Sequence, residues 1–586
     1  MLRIYDTYSN KGKSGIKEHC FIILLGLIMA SCIIDTKMFV YPALSKTLIS
    51  SLLILLFSAL TLYVLIRKRS RLEMNILTQF IVAWVTYICL HGLLLGSECY
   101  KASYLAISLI FACSIGQALR CGLIRKTHIN MSIKTMAGIE SVYVILQFVG
   151  CIDTQNVYYA VTGINGNPNV SAIFLACSFP LFIEKAKEKQ KLHTILSLVT
   201  IATAIILLKC RTAYLGLIIS LTISTYRSIV TLLNGLSKKA KVLVYVLVIT
   251  FGIGFALQMY VMKKNSADGR ILIWKTSMQM ILNRPEGTGY GLFEKEYNLS
   301  QANYFKTHKS KRIELKNASY VSSAYNDYIE NGVQGGIIGM AFIIVFYILG
   351  IHLSLAAKDI TSLAIVCSTA LMSMTNFVQT SISPWLTVVA IYGILSTYGN
   401  KSSISQEKSL IICCICLVLL LYPITTEAKK TKSQMILATY NEKICKGEEI
   451  EKNCIKSLCK SISTSECYWR ICAKNHIMGK RYEEAEKAYM NAYKYSTTPS
   501  LHYNLYNVLR LLGREDEGIK YIEINYWMLP AFIEPKVILM DYYDRKGLFD
   551  KAIKYANEAV MLNPKIRNNQ YEKFKDNAIN YINLRK

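Results

Sequence analysis

Residues 269–336 read GRILIWKTSMQMILNRPEGTGYGLFEKEYN, continue through a basic run, and end in SSAYNDYIENGVQGG. The stretch is mostly polar and lies between two long apolar segments. Ordinary connections are short, and a long polar segment within a multi-span protein is usually where function sits. The chain therefore reads as apolar helices that hold this loop at a membrane surface, followed by a further module.

Composition agrees with that reading. Hydrophobic residues make up 53% of the 586, above the roughly 45–50% of soluble domains, and they gather in runs near the roughly 20 residues that cross a bilayer. Thirteen spans are expected, near 19–35, 45–66, 74–95, 102–119, 128–150, 169–184, 192–208, 212–229, 242–262, 335–357, 361–378, 383–398 and 409–424. A net charge of +29 suggests nucleic acid in a soluble protein, but here Lys and Arg orient membrane segments, so no nucleic-acid partner is expected. With a cytoplasmic N-terminus, the inner connections carry RKRSR (67–71), Arg120, Arg125, Lys126, EKAKEKQK (184–191), Lys238, Lys239 and Lys241. The outer ones carry only Lys37, Lys46, Lys101, Lys209 and Arg211. That asymmetry places the large loop, 263–334, outside, and an odd span count places everything after Thr425 there too. The first apolar run lacks a small-residue cleavage site, so no cleavable signal peptide is expected.

Glu140 and His91 each stand alone in an apolar run; a proton relay needs several such groups, so packing roles are expected. Gly166-Asn167-Pro168-Asn169 opens the sixth span, where free helix N–H groups attract anions, although a plain cap reads equally well. Lys209-Cys210-Arg211-Thr212-Ala213-Tyr214-Leu215-Gly216 is a cationic hinge. Its arginine either snorkels to headgroups or clamps a phosphate bidentately. In the loop, apolar spacing after Arg270 suits a short amphipathic helix on the bilayer, anchored by Trp274 and ended by Pro285. Gly287, Gly289 and Gly291 allow a tight turn; no strand precedes them, which excludes a dinucleotide fingerprint. The run KTHKSKRIELK, 306–316, is a solvated face or a guide for an anionic substrate. No His/Cys/Asp cluster has metal-ligand spacing, and neither metal nor cofactor is expected.

Taken in order, Gly-Asn-Pro-Asn, then Arg-Thr-Ala-Tyr-Leu-Gly, then Gly-Arg-x₃-Trp with Pro-x-Gly-x-Gly-x-Gly, then Ala-Tyr-Asn-Asp-Tyr with Gly-x-x-Gly-Gly resembles the O-antigen ligase and O-antigen polymerase family of bacterial envelope proteins, which protein O-oligosaccharyltransferases share. The resemblance runs from about residue 163 to 396. It implies an all-α polytopic membrane fold of the metal-independent, GT-C-like glycosyltransferase type. It implies transfer of a glycan from an undecaprenyl-diphosphate carrier to an acceptor hydroxyl of a lipid, glycan or protein, at the periplasmic face of the inner membrane. Family arginines contact the donor diphosphate; they carry over to Arg211 and Arg270, with Lys209, Asn167 and Asn169 nearby. The catalytic His of the ligases falls on Tyr325, and a phenol with pKa about 10 is a poor base. The candidates for chemistry are therefore Tyr325, Asp327 and the loop's other His, His308, with Glu330 and Glu314 as further acids. Arginines in a partly dry groove stabilise charge on a leaving phosphate better than water does. The rival within this class is a repeat-unit polymerase. A flippase for lipid-linked sugar is the rival outside it, against which the outer loop and the lack of visible inverted repeats argue.

Beyond residue 424, Ala485 in GKRYEEA, Gly518 in GREDEG and Ala552 in GLFDKA recur at intervals of 33 and 34. This resembles the tetratricopeptide repeat, and residues 425–586 are expected to form a helical solenoid. Its concave surface would recruit a protein partner and do no chemistry. In an oxidising compartment some of Cys445, Cys454, Cys459, Cys467 and Cys472 could pair, but five leaves one over and the sequence gives no connectivity.

Overall fold

The computed structural model describes residues 15–33, 38–95, 100–154, 156, 158–185, 191–235, 237, 239–240, 246, 250, 264–309, 311–564 and 568–585. Among the described residues the structure is 78% helical, with one two-residue ribbon pairing β1 (Glu73–Met74) antiparallel to β2 (Ser402–Ser403). The membrane part holds α1 (Gly15–Ala30), α2 (Pro42–Lys68), α3 (Ile76–Leu95), α4 (Tyr100–Arg120), α5 (Lys126–Val149), α6 (Pro168–Lys185), α7 (Lys191–Leu207) and α8 (Arg211–Asn234). The loop follows as α9 (Lys264–Asn283), α10 (Phe293–Thr307) and α11 (Arg312–Asn317), then α12 (Asp327–Ala356), α13 (Ile360–Ser373), α14 (Ile382–Leu395) and α15 (Gln406–Cys445).

Among the described residues six helices, not thirteen, are long and apolar enough to cross a membrane: those within α2, α3, α4, α8, α12 and α15. Five more, α1, α6, α7, α13 and α14, are apolar but shorter. Length relaxes where a helix is enclosed by others. Every residue of α14 from Ser383 to Leu395 is buried, as expected for a helix apolar all round. The helix at the expected fifth span, α5, is too polar for the bilayer-length set. The expected span at 242–262 lies largely outside the described residues.

Contacts sort the connections into two ends of the bundle. At one end Lys68 donates to the Cys121 carbonyl (3.3 Å), Arg120 to the Glu73 and Ser396 carbonyls, and Asn75 to the Tyr398 carbonyl (2.8 Å). Lys126 pairs there with Asp359 at 2.8 Å. At the other end Lys101 meets Glu294 (3.6 Å), Ser383 donates to Asn165 (2.7 Å), and Asn326 to the Met374 carbonyl (2.9 Å). The basic connections around Lys68 and around Arg120 and Lys126 thus share the ribbon end, and the large loop lies opposite.

α15 runs forty residues through Pro423 and carries the chain without a break into the C-terminal module. There α16 (Lys452–Ser457) and α17 (Cys459–Ile462) precede the pairs α18 (Glu466–Met478) with α19 (Tyr482–Tyr493), α20 (Pro499–Leu511) with α21 (Glu515–Met528), and α22 (Glu534–Arg545) with α23 (Phe549–Val560); α24 (Asn569–Arg585) closes the chain. The recurring small residues sit where the helices of a pair meet. Ala485 and Ala552 are fully buried, and a β-carbon on Gly518 would stand 3.2 Å from the Leu509 side chain. The module does not stand clear of the membrane part. Met528 and Leu529 at the end of α21 pack with Ala302 of α10, and Gln301 donates to the Met528 carbonyl (2.8 Å). The surface of α21 that meets α10 is therefore taken by the protein's own loop. The five module cysteines are free thiols; instead of pairing, Cys467 and Cys472 fill the core of the first helix pair.

Because loop and module share one end, a reporter active only in the periplasm, fused after Lys586, is expected to be on, and a cytoplasm-only reporter there off; the opposite result would overturn the thirteen-span topology. A second expectation concerns pH. His502 is fully buried, its Nδ1 2.6 Å from Asn525 Oδ1, and burial lowers its pKa from 6.5 to about 4. The fold thus prefers the neutral ring. Its contribution is present above pH 6.5 and lost as pH falls toward 4, on the order of 3 kcal/mol. Hydrogen exchange in α20 and α21 should speed up over that window, and His502→Gln should flatten the dependence.

Candidate functional site

The site is built on a backbone clasp. Gly287, Gly289 and Gly291 have φ of 91°, 106° and 88°, values open to glycine and strained for other residues. They turn the chain so that Thr288 N donates to the Val333 carbonyl, Gly289 N to the Gln334 carbonyl and Ile337 N to the Pro285 carbonyl, each at 2.9 Å. Gly336, with φ 65° and ψ −165°, breaks α12 at this point into a short half-helix and a long apolar one. A β-carbon on Gly336 would collide with the Pro285 carbonyl oxygen. α3 braces the clasp: Tyr87 donates its hydroxyl to the Gly335 carbonyl (2.6 Å), and His91 Nε2 lies 2.8 Å from the Glu286 carbonyl.

The half-helix begins at Asn326, whose side chain caps Tyr328 N (3.0 Å) and Ile329 N (3.1 Å). One turn on, Glu330 accepts from Ser323 Oγ and Ala324 N, both at 2.9 Å. This carboxylate fixes the corner at Tyr325, which takes a left-handed φ of 52°. Asp327 turns the other way, accepting from Val378 N (3.0 Å) and Gln379 N (3.1 Å), and Asn331 adds a bond to Gln379 (2.5 Å). The connection 374–381 is thereby stitched to the half-helix.

One arginine meets that connection, and a second lies close to the first. Arg270 donates to the Thr375 carbonyl (2.6 Å) and lies over the Tyr325 ring, 5.0 Å from its centroid. Thr212, next to Arg211, has its hydroxyl 3.3 Å from that of Thr375. Burial holds the Arg270 guanidinium below its ordinary pKa; Tyr325 opposes the shift and the nearby charge of Arg211 adds to it. Burial pushes the Tyr325 phenol up, with Arg270 pulling against it, so the phenol keeps its proton at neutral pH. Two cations 59 positions apart in the chain thus feel each other in a partly desolvated place, which favours an anion between or beside them.

Beside the Tyr325 corner lies a cavity of about 700 Å³, lined by Glu330, Gln334, Asn165, Asn167 and Gly291 and by the cations Lys46 and Lys101. Asn165 is held by Ser383 and reaches Glu140 at 3.4 Å, so Glu140, like His91, braces a wall. Asn167 accepts from Asn169 N (2.9 Å), a local cap at the start of α6. Lys209 occupies the left-handed hinge before α8, at φ 50°. Trp274, expected as a bilayer anchor, instead donates its indole N–H to the Ala324 carbonyl (3.0 Å) inside the loop. The exposed apolar stripe of α9 is Ile271, Met278 and Leu282. Asp327 is a latch behind the cavity. His308 and Glu314 are not brought to it. His308 stacks on Tyr304 at the far end of α10 and lines a different cavity, while Glu314 is engaged by Lys275 (3.1 Å) and Lys311 N (3.0 Å).

Lys46, Asn165, Gln334 and Gln379 were not expected here. Lys46 had a legible signal, a cation at the mouth of an apolar run. The three amides had none, because three separate segments, at positions 165, 334 and 379, supply them. Residues 196–344 match the family model described as O-antigen ligase. The match takes in Arg211, Arg270, the glycine turn, Tyr325 and Glu330, and it supports a glycan-transferring enzyme in a multi-pass membrane protein. No curated protein matches the chain.

The clasp can be tested against a neutral control. Gly336→Ala is expected to cost about 1–3 kcal/mol through strain and to raise hydrogen exchange at Thr288 and Gly289. Gly269→Ala, in open space within α9, should leave both exchange and melting temperature at wild-type values or slightly above.

Proposed function

We propose that the protein moves a glycan from an undecaprenyl-diphosphate carrier to an acceptor hydroxyl, at the periplasmic face of a bacterial inner membrane. The observation that carries this reading is the closeness of Arg211 to Arg270, which lies over the Tyr325 ring beside the cavity; all three residues fall in the stretch that matches O-antigen ligases. In the reaction, the acceptor oxygen bonds to the anomeric carbon and the carbon–oxygen bond to the diphosphate breaks. The electron pair stays on the diphosphate, and the acceptor proton leaves to a base.

The two guanidiniums hold the diphosphate and stabilise the charge it gains, in surroundings drier than bulk water. The acceptor hydroxyl meets the reducing end of the donor glycan at the cavity. Tyr325 keeps its proton and shapes Arg270 through its ring. Asp327 holds the 374–381 connection. Glu330 is the carboxylate on the cavity wall and takes the acceptor proton, the role a histidine at position 325 would fill in the ligases. Lys46 adds positive charge to the cavity lining, which Asn167 shares.

The test is turnover of undecaprenyl-diphosphate glycan by purified variants at equal folded amount. Arg270→Lys and Arg211→Lys should each impair transfer although charge is kept, since an ammonium lacks the planar fork. Arg270→Ala should lose about 2–4 kcal/mol of transition-state stabilisation. Glu330→Gln should fall roughly a hundredfold or more, the scale of general-base catalysis, and Tyr325→Phe should stay within a few-fold of wild type. Near-wild-type turnover of the double Arg→Lys variant would remove the diphosphate grip.

A further inference from the structure

A second cavity, about 710 Å³, opens where the loop meets the C-terminal module. Phe305, His308, Arg312 and Lys316 come from the loop, and Tyr526, Trp527, Lys536 and Glu558 come from the module. Nothing in the transfer chemistry uses it. Its module wall is tied by internal contacts. Tyr526 donates to Glu558 at 2.8 Å, and Lys536, only 5% exposed, sits 5.1 Å from the centre of the Tyr526 ring. The Lys536 ammonium donates to the Pro530 carbonyl (2.7 Å) and the Phe532 carbonyl (3.1 Å). Lys536 lines the cavity, and its ammonium puts a positive charge on this wall. Trp527 packs against the loop cluster of Leu272, Tyr304, Phe305 and Ala318. Arg312 and Lys316 stand exposed on the rim. The single carboxylate, Glu558, already accepts the Tyr526 hydroxyl, so the balance of the walls is positive.

Aromatic faces with a polar handle, flanked by fixed donors, are what sugar rings meet in binding sites, their C–H faces on the rings and their hydroxyls at the edges. The excess of cations selects saccharides that carry carboxylate or phosphate groups. The place fits too. Phe293 at the start of α10 lines the first cavity and Phe305 near its end lines the second. This fifteen-residue helix is about 22 Å long. We propose that the second cavity is a binding site for an acidic oligosaccharide, holding the distal part of a glycan whose reducing end lies at the first. The inference rests on the reading that the protein handles glycans. It gives the module a share in substrate selection, in place of recruiting a separate partner.

The full-length protein in detergent should be titrated calorimetrically with a hexamer of galacturonic acid and, separately, with maltohexaose. Saturable binding of the acidic hexamer is expected, at least tenfold tighter than maltohexaose. Arg312→Ala/Lys316→Ala, at exposed positions, should weaken it at least tenfold. Lys520→Ala/Lys573→Ala, exposed elsewhere on the module, should leave it unchanged. A phosphate-bearing hexamer in place of the uronate tells which acidic group is preferred. Absence of saturable binding overturns the site, as does wild-type affinity in the Arg312/Lys316 variant. Equal weakening by the Lys520/Lys573 variant overturns it too, because that is general attraction to a basic protein. The measurement needs no turnover. If Arg270→Ala keeps hexamer binding while the double Arg→Lys variant transfers normally, the diphosphate grip fails and this site stands.

Discussion

Three backbone hydrogen bonds between residues 285–289 and 333–337 hold this architecture at its critical point. They tie a polar loop to the broken start of an apolar helix, and the break at Gly336 makes them possible. Backbone groups near a membrane must find partners, since an unsatisfied one there is costly. Here the donors and acceptors freed by the break are met by the glycine turn, with Tyr87 and His91 completing the set from α3. The half-helix is then positioned as a rigid shelf. Its Asn326 cap, the Glu330 corner and the Asp327 latch all follow from that one interruption.

The same constraint explains the use of charge. Arg270 is held by a backbone carbonyl and by an aromatic face rather than by an ion pair to a carboxylate among the described residues. Its charge therefore stays available to an outside anion. A carboxylate partner would have neutralised the pair and removed the reason to bury it. Tyr325 fits this economy: at a corner with strained backbone, its ring orients the guanidinium while its phenol stays protonated. Strain of this kind persists where the surroundings over-determine it, as Glu330 does here by holding Ser323 and Ala324.

The C-terminal module belongs to the same assembly. By packing Met528 and Leu529 against Ala302 it fixes α10 from outside, as the clasp fixes the loop from the membrane side. A loop held on two sides keeps two cavities at a set separation.

Much of this was legible in the residues. The apolar runs and the uneven basic residues signal a helical membrane protein with a polar loop opposite the basic connections, because hydropathy and charge act locally and leave their mark in the order of residues. The glycine turn, the two arginines and the 33–34-residue recurrence were visible for the same reason. Other features required the folded chain. Thirteen apolar runs do not make thirteen bilayer-length helices, because an enclosed helix such as α14 has no lipid to match. Trp274 reads as an interfacial anchor by its spacing, but the Ala324 carbonyl, fifty residues away, captures its indole. His308 reads as a base because it is a histidine in the loop, yet the length of α10 carries it to the other cavity. The cavity amides, the Asp327 latch and the docking of the module on the loop depend on contacts between distant segments. Composition and periodicity record what each segment prefers alone; which segments meet is decided only when the whole chain has packed.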